Sequence, residues 1–332
     1  MSGILQDQGV CSEMVDLSQA FVFPPDQIVN QAFYDELAIS MGRLVKDSQA
    51  TVPVVTGYFG RIPGGLLARI GRGYTDLCAS LLTIGLEAEE LQVWKEVEGF
   101  YTADPRRVPN AKLLSSISPE EASELTFNGS EIIHFLAMGQ AVRSKIPIRV
   151  KNVMNPSGAG TLVKPMESHS ARTQFDRSID FDSGQSKRPA AMTSKHDIVV
   201  VNVFSQERSL RPSFFMDVIT VLGRWQLAID LVCTSQVQLS MAIHSQAPAM
   251  VDADDDATIA NPNLVEAIEQ LRKIGTVKVL SKMAVISLVG KSMRCSSGTA
   301  GRVFTVLGDN DVKIQMIAQV RLEYHVWSRR GR

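Results

Sequence analysis

Apolar positions recur along this chain in short runs followed by stretches with helical spacing, and that rhythm collapses between residues 166 and 193. Before the break, Thr51-Val52-Pro53-Val54-Val55-Thr56-Gly57 reads as a buried strand that ends at a glycine turn. Residues 74–86 carry helical spacing, and Leu91-Gln92-Val93-Trp94 forms the next strand. Ser118-Pro119-Glu120-Glu121 places an N-cap serine before a first-turn proline, with a glutamate three residues after the cap, so a helix should run from there through Phe127. Such β-α-β alternation predicts a mostly parallel sheet covered by helices, with ligands at the carboxyl ends of its strands.

The break itself is rich in Ser, Arg, Asp, Gly, Gln and Pro, around Ser183-Gly184-Gln185-Ser186-Lys187-Arg188-Pro189, and reads as a linker. Beyond it, strands are expected at 197–203, 228–232 and 236–243, with helices at 213–225 and 264–274. The scheme then repeats with a strand at 284–290, a helix at 299–307 and a strand at 313–317. The repeated β-α-β-β-α order is that of ferredoxin-like units. The fold class is therefore α/β followed by α+β, divided into 1–165, a linker at 166–193, and 194–332.

Composition narrows the partners. With 332 residues, 45% hydrophobic, 21% charged and a formal net charge of −1, the chain can bury two cores and has no general attraction for nucleic acid or anionic membrane. Cys11, Cys78, Cys233 and Cys295 lack metal-ligand spacing and read as reduced thiols, so the expected compartment is the cytoplasm and no metal site is expected from them. The acidic run Asp252, Asp254, Asp255, Asp256 lacks the loop glycine and distal glutamate of a calcium loop and reads as a solvated loop.

Two segments carry candidate chemistry. Ile70-Gly71-Arg72-Gly73-Tyr74-Thr75-Asp76 sets an arginine and an aspartate around glycines that let a ligand approach the backbone, and Gln92-Val93-Trp94-Lys95-Glu96-Val97-Glu98-Gly99-Phe100-Tyr101-Thr102-Ala103-Asp104-Pro105-Arg106 sets polar and basic groups on a loop after a strand. With Val108-Pro109-Asn110-Ala111-Lys112-Leu113-Leu114, Gly129-Ser130-Glu131-Ile132-Ile133-His134, and Ile146-Pro147-Ile148-Arg149-Val150-Lys151-Asn152-Val153-Met154-Asn155-Pro156, these segments resemble the catalytic domain of fungal-type aspartokinases. Met293-Arg294-Cys295-Ser296-Ser297-Gly298-Thr299-Ala300-Gly301-Arg302-Val303-Phe304 extends the resemblance to the paired ACT units of that family.

The resemblance implies roles. Arg72 and Asp76 stand where aspartokinases hold the amino-acid substrate, Arg72 on a carboxylate and Asp76 on the ammonium; the plain alternative is that the two pair around a glycine turn. Lys95, Glu96, Tyr101 and Arg106 match the nucleotide-side loop, which implies ATP with magnesium as cofactor, while Trp94 and Phe100 are expected in the core and Asp104-Pro105 in a structural turn. Glu131 stands where many relatives carry lysine. His134 completes the catalytic candidates, although a lone histidine between Ile133 and Phe135 is more often a packed side chain than a base. In the ACT units Asp230, Thr234, Ser235 and Gln236 match the effector-binding segment, with Gln236 replacing a glutamate and Ser213 a glycine, changes expected to weaken or alter effector binding. The resemblance also implies a homodimer through the ACT units.

The family's opening strand and lysine-glycine-glycine phosphate loop have no counterpart in these residues, and after Gln319 the chain departs from the family into Val320-Arg321-Leu322-Glu323-Tyr324-His325-Val326-Trp327 and a basic tail. The expectation is a homologue truncated at both ends, with an incomplete second ACT unit and inefficient phosphotransfer by itself. Three readings follow: an amino-acid- or nucleotide-binding regulatory dimer; an enzyme of new cyclisation or isomerisation chemistry using an apolar metabolite in a vacated pocket; and, ranked behind them, residual aspartate phosphorylation.

Overall fold

A computed structural model describes residues 1–21, 29–60, 73–127, 132–164, 189–205, 212–244, 250–251, 257–258, 261–290, 298–319 and 323–329. Arg72, Glu131, the acidic run 252–256, Cys295 and most of the linker lie outside the described residues. The chain divides into two compact units, Met1–Ser183 and Gly184–Arg332. Among the described residues no helix is long and apolar enough to cross a membrane.

The first unit opens with helix α1 (Ser2–Asp7), strand β1 (Ser12–Val15), helix α2 (Gln31–Lys46) and strand β2 (Val52–Val55), with β1 and β2 paired in parallel. Asn30 starts α2 by accepting the Phe33 amide at 3.0 Å, and Phe33, Leu37, Met41 and Val45 then fall on one buried face. That face meets helix α3 (Tyr74–Gly85), which buries Leu77, Cys78 and Leu81. The two helices come together backbone to backbone. A Cβ on Gly85 would land on the Ala38 carbonyl oxygen, and one on Gly42 would land on Gly85.

A second sheet holds β3 (Leu91–Lys95), β4 (Ser116–Ile117), β5 (Ile148–Asn152) and β6 (Thr161–Val163) in the order β3-β5-β6-β4. Its β3–β5 and β4–β6 pairs are parallel and β5–β6 is antiparallel. The sequence alternation placed 51–57 and 91–94 in one sheet, but among the described residues β2 and β3 belong to different sheets. Helices α4 (Pro119–Phe127) and α5 (Phe135–Arg143) complete the unit. The capping box forms as expected: the Glu121 amide donates to Ser118 Oγ at 3.3 Å, and the Ser118 amide donates back to Glu121 Oε2 at 3.3 Å.

In the second unit, β7 (Ala191–Phe204), β8 (Ile229–Thr234), β9 (Gln238–His244), β12 (Thr276–Val289), β13 (Lys313–Gln319) and β14 (Glu323–Arg329) form one sheet ordered β13-β14-β12-β7-β9-β8. A short pair, β10 (Met250–Val251) and β11 (Ala257–Thr258), lies apart from it. Helices α6 (Pro212–Arg224) and α7 (Pro262–Leu271) cover one face against Val199, Val201 and Val203, while Ile198 and Val200 pack the other face against Met283, Val285 and Met316. Both faces of β7 are therefore buried, which explains its continuous apolar run. Helix α8 (Thr299–Asp309) follows β12.

Two expectations are corrected here. Strand β7 begins at Ala191, inside the stretch read as linker, because polar Thr193, Ser194 and Lys195 pair with the far half of β12. Residues 323–329, read as the run into a tail, form β14, which pairs antiparallel with both β12 and β13 and supplies the strand that the second unit was expected to lack. The two long strands β7 and β12 run through both ferredoxin-like units. Each changes register where a non-glycine residue adopts positive φ, Asp197 at 59° and Lys282 at 55°.

Candidate functional site

The carboxyl ends of β3 and β5 lie side by side, with Lys95 paired to Asn152. Lys95 is the last residue of its strand, and its ammonium reaches Asp76 in the first turn of α3, at 3.2 Å from each carboxylate oxygen. The His134 amide donates to Asp76 Oδ2 at 3.2 Å. Three of the residues read from sequence as catalytic, separated by up to 58 positions, thus meet on one carboxylate. Asp76 also sits at the amino end of a helix, where a negative charge is favoured.

Gly73 makes this meeting possible. It caps α3 in the left-handed region at φ 88°, and a Cβ there would come within 2.9 Å of the His134 side chain. Only glycine combines that backbone with that approach. His134 in turn caps α5 through its extended backbone, its ring 4.8 Å from that of Phe135.

His134 is neither a plain core residue nor an exposed one. Its Nδ1 is buried without a hydrogen-bond partner, a vacancy that a ligand donor or acceptor can fill. Burial pushes its imidazole below the ordinary 6.5, with the Asp76 charge acting weakly in the opposite sense. Above 6.5 folded and unfolded chains both carry it neutral, so it makes no difference to stability. Below that value the unfolded chain takes up a proton that the folded chain refuses, so stability should fall as pH drops from 6.5 toward the folded pKa. Urea midpoints measured between about pH 7 and pH 5 will show a shallower acid slope in His134→Asn than in the wild type; equal slopes would remove His134 as the cause.

The remaining candidates stand apart from this cluster. Glu96 is exposed, Tyr101 bridges to Leu113 across the loop after β3, and Arg106 is 89% exposed with its guanidinium on Asp104, which also accepts the Arg106 amide at 3.0 Å. The Asp104 turn is thus structural, as expected. Phe100 is buried as expected, but Trp94 is 41% exposed, with the Lys151 ammonium 4.9 Å from its ring centre. Strand alternation accounts for the correction: Val93 and Lys95 share one face of β3, and Trp94 takes the other.

Glu98 escaped the sequence reading. Its carboxylate accepts Asn152 Nδ2 at 2.9 Å and Asn155 Nδ2 at 3.2 Å, while the Val153 amide donates to the Lys95 carbonyl at 2.9 Å. Together these bonds tie the loop after β3 to the loop after β5. An acidic residue near one strand end and paired asparagines at another are the signal that could have found it. In the second unit, Asp230 Oδ1 accepts Lys195 Nζ at 2.8 Å, while Thr234, Ser235 and Gln236 lie exposed in the β8–β9 turn, closed by the Ser235 amide donating to the Gln238 carbonyl. Asp230 and these three residues thus belong to one hairpin, but only Asp230 is partly buried.

Comparison with known proteins bears on this geometry. Residues 1–152 match the model of the amino acid kinase family, and residues 286–327 match that of an ACT domain. Aspartokinase of Schizosaccharomyces pombe is 42% identical over 98% of this chain, and aspartokinase of Candida albicans is 41% identical over the same share. The chain spans 62% and 61% of those relatives' lengths. Among solved structures, Escherichia coli aspartokinase III in complex with aspartate and ADP superposes with a TM-score of 0.73 at 24% identity, covering 98% of this chain and 68% of that one, a likeness of fold. Relatives this similar carry aspartokinase names, and none of these likenesses supports the repurposed cyclisation or isomerisation chemistry.

Proposed function

We propose that this chain, which belongs to the aspartokinase family, binds L-aspartate in its first unit and takes part in transferring the terminal phosphate of ATP to it. The meeting of Lys95, Asp76 and the His134 amide at the start of α3 carries the reading. Asp76 is the acceptor for the substrate ammonium, and Arg72 pairs with a substrate carboxylate. Lys95 lies between the amino-acid and nucleotide sides. When the substrate ammonium takes Asp76, the Lys95 ammonium is released toward the phosphates, where a point charge stabilises developing negative charge. Glu96, Tyr101 and Arg106 form the nucleotide-side loop.

The residues present suit a magnesium nucleotide. Magnesium keeps most of its waters and asks for one or two carboxylates, of which the exposed Glu96 on the nucleotide-side loop would offer one, and it would supply charge neutralisation of the phosphates when bound. On this reading the nucleophile is the substrate's own carboxylate: one of its oxygens forms the bond to phosphorus, the bond to the bridging oxygen breaks, and ADP leaves.

The second unit is proposed to bind a free amino acid at Asp230 and the hairpin carrying Thr234, Ser235 and Gln236, and to pair with a second copy. Calorimetric titration of L-aspartate, with and without magnesium-ADP, followed by a coupled assay of ADP release, tests the kinase reading. No aspartate binding at millimolar concentration in either condition would end it. Lys95→Met separates the two sides: nucleotide affinity should fall about tenfold or more for the lost charge-assisted contact, while aspartate affinity holds or rises because a competing ammonium has gone. A parallel loss of both affinities would show that Lys95 merely shapes the site.

A further inference from the structure

The Asp230 carboxylate is only half satisfied. Oδ1 is held by Lys195 at 2.8 Å, whereas Oδ2 is buried with no hydrogen-bond partner, and the two side chains are 15% and 22% exposed. Lys195 arrives from a distance. It stands on β7, which is separated from β8 by β9 in the sheet, and it lies beyond the last β7–β9 pairing at Ile198 and His244. The register change around Asp197 and the extra residue that β8 inserts at Asp230, between the pairings of Ile229 and Leu231, bring the two charges together over the end of β9. Within residues 230–236 Asp230 is the sole acid, because Gln236 is neutral.

We propose that Lys195 is a tethered occupant of the ammonium subsite at Asp230, closing the amino-acid site of the second unit until a free amino acid displaces it. The inference rests on the effector-binding reading given above. A buried carboxylate without a cation is strongly unfavourable, so the lysine stabilises the empty state. Every ligand ammonium must compete with it, and apparent affinity falls by the fraction of molecules in which Asp230 is free. The unpartnered Oδ2 marks the carboxylate's remaining capacity, which a ligand ammonium with three donors can use and the single lysine contact leaves open.

The test titrates L-threonine, L-lysine and L-methionine separately into the full chain, reading calorimetric heat and melting temperature for the wild type, Lys195→Met, Lys195→Arg and Asp230→Asn. If Lys195→Met folds poorly, Lys195→Gln replaces it, since its amide can still donate to Oδ1 without carrying a charge. At least one amino acid should bind the neutral Lys195 variant about tenfold more tightly than the wild type, as expected if the site is free about a tenth of the time. The same ligand should restore the variant's melting temperature, Lys195→Arg should behave as the wild type, and Asp230→Asn should not bind. Equal affinity in the wild type and the neutral variant overturns the tether while leaving effector binding intact. Binding retained in Asp230→Asn places the ligand elsewhere and overturns it too. Absence of binding in every protein removes the effector reading and the tether together, with the kinase reading of the first unit untouched.

Discussion

Asp76→Asn will abolish measurable aspartate binding while leaving the first unit folded. The amide keeps the carboxylate's shape and can still accept the His134 amide, now 3.2 Å from Oδ2, so the local geometry survives. What disappears is the charge. Removing one partner from a charge pair at a binding site typically weakens binding by about 2–5 kcal/mol, which is roughly thirty- to several-thousand-fold in dissociation constant. Lys95 loses its counter-ion as well, but at 29% exposure its ammonium can turn to water, so stability should change by less than about 1 kcal/mol. Calorimetry for affinity and urea unfolding for stability separate the two effects. Aspartate affinity within twofold of the wild type would exclude Asp76 as the ammonium acceptor.

The second large effect should come from Gly85→Ala, at the end of α3 far from any ligand. By helix propensity alone the substitution favours the folded state by about 1 kcal/mol. In this fold the new methyl group would occupy the Ala38 carbonyl position, where the backbones of α2 and α3 touch through Gly42 and Gly85. Backbone cannot yield as a flexible side chain can, so the crossing must open, at a typical cost of about 1–3 kcal/mol for an overpacked core. Because α3 carries Asp76 in its first turn, opening the crossing shifts that carboxylate relative to Lys95 on β3. The variant should therefore lose both thermal stability and aspartate affinity, whereas Asp76→Asn loses only the second. A neutral or stabilising outcome would show that the contact of α2 and α3 at Gly42 and Gly85 accommodates a methyl group and would overturn this expectation.

Much of the site was legible from local chemistry. The glycine before Tyr74, the aspartate three residues later and the lysine closing an apolar strand each read as a ligand-facing position, and the structure brings all three together where strand ends and a helix start converge. Asp104-Pro105 and the Ser118 capping box were equally plain, because each depends on partners within three residues. Trp94 was misplaced because the type of residue suggested burial, whereas strand alternation decides which face a side chain takes. Glu98 went unnoticed because its partners Asn152 and Asn155 lie more than fifty residues away.

Sequence by itself determined the α/β and ferredoxin-like classes and the likeness to aspartokinases, since periodicity, capping and motif order are properties of neighbours along the chain. Tertiary structure alone decided that β7 and β12 serve both ferredoxin-like units, that 323–329 pairs as a strand, and that Lys95 and Lys195 each rest on a carboxylate from another element. Strand pairing over such separations and the meeting of opposite charges depend on which backbones are adjacent in space, and a periodic pattern of apolar residues carries the burial of a face but not the identity of what lies across from it.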